Sequence, residues 1–360
     1  MVGTIRSTMS KSKKHRLPAI IQHGWHVLPH VVVDAYNEEL KDGDGFLGDR
    51  ASMGAFRDIL DNWRQEIARG GEDPFGDTPT WELTKSQLDK HLEGDDAVAA
   101  GLVHTAVEEF AQELATVTRR FLKLDEWKDT EHIVIGGGLS GSHIGKLAIG
   151  RALLLVKESG FDIGMSPITN HPDEAGLLGG IELTPSWILD GHDAIVAADI
   201  GGTNLRIGII ELKMKKGDIA KAGIWRSTLW RHKDDDPTRE DAVARMAEMT
   251  AKLVEQAHEA KLRLAPFIAV GCPGVITRDG TIEKGAQNLP GDWEEHDFSL
   301  SRELTRQLPL INGHEPLFVI HNDAVVQGLS EVPNMKDVSH WGVMTIGTGL
   351  GNARFTNRTD

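Results

Sequence analysis

Asp199-Ile-Gly-Gly-Thr-Asn-Leu-Arg206 is the stretch on which the reading of this sequence turns. It ends the apolar run Ala194–Asp199 and leads into a second one, Leu205–Leu212. Two apolar runs around a Gly-Gly turn predict a β-hairpin. Adjacent glycines leave backbone N–H groups open to an anion, with no Cβ in the way. Thr203 and Asn204 add side-chain donors. Asp199 closes a buried strand, where a carboxylate needs a partner, and a magnesium ion or its waters would serve as one. The plain alternative is a hairpin that binds nothing.

Beyond the hairpin, Ala222–Trp230 reads as a third strand and Arg239 to Lys261 as a long amphipathic helix. Phe267–Val270 and Leu317–Ile320 read as buried strands that end in polar or Gly-Pro turns. Trp341–Ile346 is another strand and runs directly into Gly347-Thr-Gly-Leu-Gly351. Strands joined first by hairpins and later by helices predict an α/β protein with a mixed sheet. The part from Leu17 to about Leu189 reads as mainly helical. Phe56, Ile59, Leu60, Trp63 and Ile67 recur at helical spacing, as do Val103, Val107, Phe110, Leu114, Val117 and Phe121. Within it His132–Ile135 is a short strand that enters Gly136-Gly-Gly-Leu-Ser-Gly141, and a helix follows through Leu155.

Each of these Gly-, Thr- or Asp-rich turns comes after the carboxyl end of a strand, where open α/β sheets bind ligands. Gly347-Thr-Gly-Leu-Gly351 is a second small-residue cradle for phosphate. His321-Asn-Asp323 puts a carboxylate at a strand end, suited to accept a proton from a substrate hydroxyl; the competing role is a helix N-cap. Gly136–Gly141 matches G-x-G-x-x-G, the dinucleotide fingerprint, so a flavin or nicotinamide reading is weighed. That reading needs a second parallel strand ending in an acid, and Gly160-Phe-Asp-Ile-Gly-Met-Ser166 reads as a poor strand with no suitable acid. Gly145-Lys146 is not a P-loop, since Ser140 and Leu147 stand where Gly and Ser/Thr are required. Gly271-Cys-Pro-Gly274 and Gly285–Trp293 form two loops after one strand. In the second, Asn288 carries an amide able to donate to and accept from a sugar hydroxyl. Cys272 reads as a packed thiol, not a nucleophile.

Composition excludes several classes. The chain has 360 residues, 40% hydrophobic and 26% charged, in the range of folded globular proteins. The length suggests two domains. The 39 Lys+Arg against 54 Asp+Glu give a formal net charge of −15, which argues against general nucleic-acid binding. The single cysteine, Cys272, excludes a disulfide framework and any cysteine-built zinc or iron–sulfur site. No apolar run reaches the roughly 18 residues that span a bilayer, so no membrane partner is expected. The opening Met1–Arg16 is basic without an apolar stretch behind it; it is expected to be a flexible tail and not a secretory signal, which makes the expected location cytoplasmic.

Taken together, these motifs resemble the ROK family of sugar kinases, in the actin-like (ribonuclease H-like) ATPase superfamily. Asp199–Asn204 is similar to that family's first phosphate motif and Gly347–Gly351 to its second. Gly271–Gly274 and Asn288–Trp293 are similar to its sugar-side loops, and Asn322-Asp323 to its catalytic pair. The order within Asp193–Gly351 is the usual one. Ile133–Ser140 is similar to the family's adenosine motif, and Pro172-Asp-Glu-Ala-Gly-Leu-Leu-Gly179 to its closing segment. Gly94-Asp-Asp-Ala97 and the helix after it also look like the family's C-terminal half. These normally follow the second phosphate motif, but here all three precede Asp199. A circular permutation is therefore expected, with Ile181 to His192 joining the former ends; the competing account is two halves exchanged between chains.

The resemblance implies a two-lobed fold: a tail over 1–16, a larger lobe over 17–187, a smaller lobe over 188–325, and a return to the larger lobe over 326–360. It implies ATP and magnesium, phosphorylation of a hexose or amino-sugar hydroxyl, and compatibility with a homodimer. Asp323 would be the general base. Gly201, Gly202, Thr203, Asn204, Gly347, Thr348 and Gly349 would cradle phosphates, and Gly136, Gly137 and Gly138 would lie against adenosine. Asp199 would position magnesium directly or through water, and Asn288 and Asn322 would hold sugar hydroxyls. The family's zinc cysteines are absent and its Glu-x-Gly-His segment is not recognisable. Its counterpart is sought at His23-Gly-Trp-His26 or His30, with His26 as the candidate. Gly137 is expected beside Gly347–Gly351 in space. The alternative from another class is a sugar-responsive binding protein without catalysis. The family's repressors carry an N-terminal helix-turn-helix, and Lys11–Arg16 is too short for one.

Overall fold

The computed structural model describes residues 22–43, 45–213 and 221–358. The expected basic tail, 1–16, lies outside the described residues. The strands are β1 (Val31–Tyr36), β2 (Lys41–Asp42), β3 (Gly45–Phe46), β4 (His132–Gly136), β5 (Gly164–Pro167), β6 (Ala194–Ile200), β7 (Leu205–Glu211), β8 (Gly223–Trp230), β9 (Leu264–Cys272), β10 (Val275–Ile276), β11 (Ile282–Lys284), β12 (Leu317–Asn322), β13 (His340–Ile346) and β14 (Leu350–Asn357). The helices are α1 (Met53–Gly70), α2 (Lys85–Leu92), α3 (Ala97–Phe121), α4 (His143–Glu158), α5 (Pro172–Leu178), α6 (Ser186–Leu189), α7 (Arg239–Glu259), α8 (Leu300–Gln307) and α9 (Asp323–Leu329).

Two five-stranded sheets organise the chain. One has the order β8-β7-β6-β9-β12, with β6–β7 and β7–β8 antiparallel and β6–β9 and β9–β12 parallel. The other has the order β1-β14-β13-β4-β5, with β13–β14 and β14–β1 antiparallel and β13–β4 and β4–β5 parallel. Counted from β6, the first sheet reads 3-2-1-4-5. Counted β13, β14, β1, β4, β5, the second reads the same. This duplicated mixed sheet is the two-lobed actin-like, ribonuclease H-like α/β fold.

The strand patterns explain the layering. β6 is buried at every position, as a central strand covered on both faces must be. β1 alternates buried and half-buried residues, and its short Val-rich run supplies a strand where the first half reads as helical. α9 comes after β12 and α5 after β5, so the two helices hold equivalent places after the fifth strand of each sheet. They pack on each other, and one apolar core joins Val325 and Val326 of α9 and Leu177 of α5 to Val134, Val343 and Phe355 of one sheet and Ala197, Ala269 and Val319 of the other. The approach is close: a Cβ on Gly179 would meet the Val326 carbonyl oxygen at 1.7 Å, so the end of α5 admits no side chain there.

Candidate active site

β6, β9 and β12 run parallel, so their carboxyl ends deliver Asp199, Gly271–Gly274 and Asn322-Asp323 to one edge. Asp199 and His321 both pair with Gly271 of β9 in register. Strand spacing then separates the ends of β6 and β12 by roughly 10 Å, room for a reacting group between two acids. Asp323 opens α9 and its Oδ1 accepts the Ala324 N–H at 2.9 Å. Its pKa is pushed up to about 7, first by burial and second by the charge of Asp199. Asp199 is itself raised by burial; Arg206 opposes this with a guanidinium nitrogen 3.6 Å from Oδ2, and Asp173 adds to it. Arg206 also pairs with Asp173 of α5. Gly176 of α5 lies against the Asp199 carboxyl, which a Cβ would approach to 2.5 Å. Pro172–Gly179, the segment similar to the family's closing segment, is thus a wall of this site.

The turns from the two sheets meet. The Thr203 and Thr348 hydroxyls lie 3.2 Å apart. Gly201, Gly202, Gly347 and Gly349 all lie outside the left-handed region. A Cβ on Gly349 would meet nothing within 4 Å, whereas one on Gly202 would meet the Asn288 Cβ at 2.8 Å. At Gly349 neither backbone conformation nor packing calls for glycine, so the close approach of a ligand is the remaining physical reason for one. Asn204 shapes its turn through its carbonyl, which accepts the Gly201 N–H at 2.9 Å. The buried His232 donates from Nε2 to the Gly201 carbonyl at 2.8 Å and holds the turn from behind. Sequence reading missed His232, which comes just after β8 and carries no motif.

The second sheet supplies the third turn. β4 pairs in parallel with β13 up to Gly136 and Thr345. Gly137 has φ +81°, and a Cβ there would meet the Ile346 carbonyl oxygen at 2.2 Å. Gly137 therefore sits against the residue that precedes Gly347–Gly351. Lys85 donates to the Gly138 carbonyl at 2.6 Å. The segment read as a poor strand forms β5, parallel to β4, because Met165 and Ser166 take ladder positions that periodicity alone does not reveal. It leads into Ile168-Thr169-Asn170 with no acid, so the dinucleotide pattern still lacks its ribose carboxylate.

At the end of β12, Asn322 is almost wholly buried. Its Oδ1 caps α9 by accepting from Ala324 and Val325, and its Nδ2 donates to the Gly274 carbonyl at 3.0 Å. One amide hydrogen is left for a ligand. Asn288 is exposed above Gly202, on a loop anchored by the buried Trp293, which donates to the Pro290 carbonyl. His26 donates from Nδ1 to the Val33 carbonyl at 2.7 Å, and the Tyr36 ring lies 5.9 Å from it and 5.1 Å from His321. His30 pairs with Glu182. His321 is held neutral, its pKa lowered to about 3 by burial, with the Asn322 N–H on Nδ1 and Nε2–H donating to the Trp25 carbonyl. Asn37, also missed, has φ +54° and a buried Nδ2 without a partner, beside Gly285 of the Asn288 loop. Cys272 is buried and its pKa raised well above the usual thiol value by that burial.

Magnesium and a nucleotide fit this edge. Both carboxyls are raised by burial, and the charge of Asp199 raises Asp323 further; a cation would relieve this, and the glycine turns offer open backbone. Among the described residues no three His, Cys, Asp or Glu side chains group to hold a metal ion; magnesium bound through one carboxylate, waters and substrate phosphates needs no such group.

No protein-family profile matches the chain. A glucokinase of Thermotoga maritima is 28% identical over 163 residues, 45% of this chain and 44% of that protein, so the chain spans under half the length of this relative. The solved ROK hexokinase of Thermus thermophilus overlays 36% of this chain and 35% of its own, at 26% identity and a TM-score of 0.24. By the likeness to the glucokinase and by the motifs at its strand ends, the chain resembles the ROK-family sugar kinases.

Proposed function

We propose that this protein transfers a phosphoryl group from ATP to a sugar hydroxyl, on a hexose or amino sugar. The observation that carries the reading is the meeting of Thr203 and Thr348, from turns of opposite sheets, at an edge that also holds Asp199 and Asp323. Phosphoryl transfer asks a protein mainly for positioning and for stabilising charge. The glycine turns and threonine hydroxyls would hold the phosphates, and the turn at Gly136–Gly138 the adenosine. Magnesium, when bound near Asp199, would offset phosphate charge. Asp323 would take the proton of the acceptor hydroxyl, and the raised pKa suits a base working near neutral pH. Asn288 and the remaining Asn322 amide hydrogen would orient the sugar. Among the described residues no helix is long and apolar enough to cross a membrane, and we place the protein in the cytoplasm.

The test is a panel of hexoses and amino sugars with ATP and magnesium, read as nucleoside diphosphate release. Sugar-dependent release is expected. Binding of a sugar with no release would favour the non-catalytic alternative.

We further infer that the chain is a circular permutation of the family order, with a larger lobe over 17–187 and 326–360 and a smaller one over 188–325. Its support is that β1 takes the third place of a sheet whose first two strands are β13 and β14, with Val31 opposite Asn357. Arg358 donates its backbone N–H to the His30 carbonyl at 2.9 Å, which brings the two segments together. Asp190 and Gly191 are exposed, where a break costs little. A reordered gene that joins residue 360 to residue 1 and opens the chain at 191 is therefore expected to yield a folded protein with parental nucleotide affinity. Aggregation of the reordered chain, with the parent a dimer by light scattering, would favour exchange of halves.

A further inference from the structure

Gln327 lies one helical turn after Asp323 on α9, so both project from the same face. Its Oε1 accepts the Gly137 N–H at 2.8 Å. That bond fixes the amide: the oxygen faces the glycine turn, and Nε2 makes no hydrogen bond to a described residue. The fit is tight, for a Cβ on Gly136 would come within 2.3 Å of Oε1. Gly328, the next residue, lies against Phe355 and Val343, where a Cβ would approach to 2.7 and 2.9 Å. The helix is thereby pressed onto β13 and β14, and its position and that of the glycine turn are set together.

We propose that Gln327 is a positioning residue that ties the nucleotide-side turn Gly136–Gly138 to the helix carrying Asp323. The proposal rests on the kinase reading above. The nucleotide then meets a turn whose leading N–H is already spent on Gln327, in a fixed orientation, with the amide Nε2 left as a donor beside it. Loss of the side-chain oxygen frees the Gly137 N–H and loosens the turn, while the acceptor loops at Gly274 and Asn288 keep their own bonds.

The experiment is Gln327→Met, which keeps length and removes both polar atoms, with KM for ATP and for the sugar measured separately alongside kcat. Loss of one hydrogen bond of this kind predicts a rise of roughly tenfold in KM for ATP, with KM for the sugar within about twofold. A second variant, Gly136→Ala, drives a methyl into Oε1 and dislodges the amide without replacing any residue of α9. The same split is expected, and the double variant should be no worse than the poorer single one. Additive effects, an unchanged KM for ATP, or a parallel rise in both KM values with a lowered Tm would overturn the proposal. A parent protein that transfers no phosphoryl group to any sugar would instead overturn the kinase reading on which it stands.

Discussion

Asp323→Asn is expected to abolish nearly all phosphoryl transfer while leaving sugar binding close to parental. Removing a positioned base costs about 10²- to 10⁴-fold in rate. The replacement keeps an Oδ1 for the Ala324 N–H, so α9 retains its start. Assay of kcat together with sugar affinity by calorimetry separates the two effects, and turnover within about tenfold of the parent removes Asp323 from the chemistry. The parent's own pH dependence gives a second reading. With a pKa of about 7, kcat should fall as pH drops below that value, because the base is then protonated.

The same group makes a stability prediction of definite sign. The folded pKa of Asp323 exceeds its unfolded value near 3.8, so the folded state holds the proton more tightly. Its contribution to stability is therefore favourable at low pH and is lost as pH rises towards 7. Asn, which never ionises, escapes that loss. Asp323→Asn should raise Tm relative to the parent at pH 8, by an amount corresponding to at most a few kcal/mol, and the difference should shrink by pH 5. An acid in a cleft that costs stability when ionised is the pattern of a functional group.

Much of this edge was legible from residue order. Runs such as Ala194–Asp199 and Trp341–Ile346 announce buried strands, and each gives way to Gly, Thr or Asp, so strand ends locate the turns. Three things were not legible, for one physical reason: they are contacts between segments far apart in sequence. β1 is a brief Val run in a helical context, and its strand state comes from pairing with β14 at the other end of the chain. β5, Gly164–Pro167, holds both Gly and Pro, which local propensity counts against a strand, and its ladder partner β4 decides it. His232 and Gln327 sit in no motif, yet they hold the Gly201 turn and the Gly137 turn respectively. Asn322 shows the converse. Sequence reading offered a sugar ligand or a helix cap, and the structure spends most of its amide on the cap and on the Gly274 carbonyl.

Gly137→Ala is the second large effect expected, and it bears on the joining of the two chain regions. At φ +81° an alanine is strained by about 1–3 kcal/mol from backbone conformation alone. Its methyl would also press on the Ile346 carbonyl oxygen at 2.2 Å, a backbone atom of β13 that cannot step aside as a flexible side chain would. Two adjustments are open. The strand end shifts, which moves Gly347–Gly349 away from Thr203, or the turn shifts, which breaks the Gly137–Gln327 bond. Either one parts the turn at Gly136–Gly138 from the turns at Gly201–Thr203 and Gly347–Gly349. The expected result is a loss on the order of 3 kcal/mol in unfolding free energy by chemical denaturation, together with nucleotide affinity weakened far beyond that of Gln327→Met. Were the alanine variant to keep parental nucleotide affinity, Gly137 and Gly347–Gly351 would not serve one bound nucleotide, and the single-site reading of this edge would have to be given up.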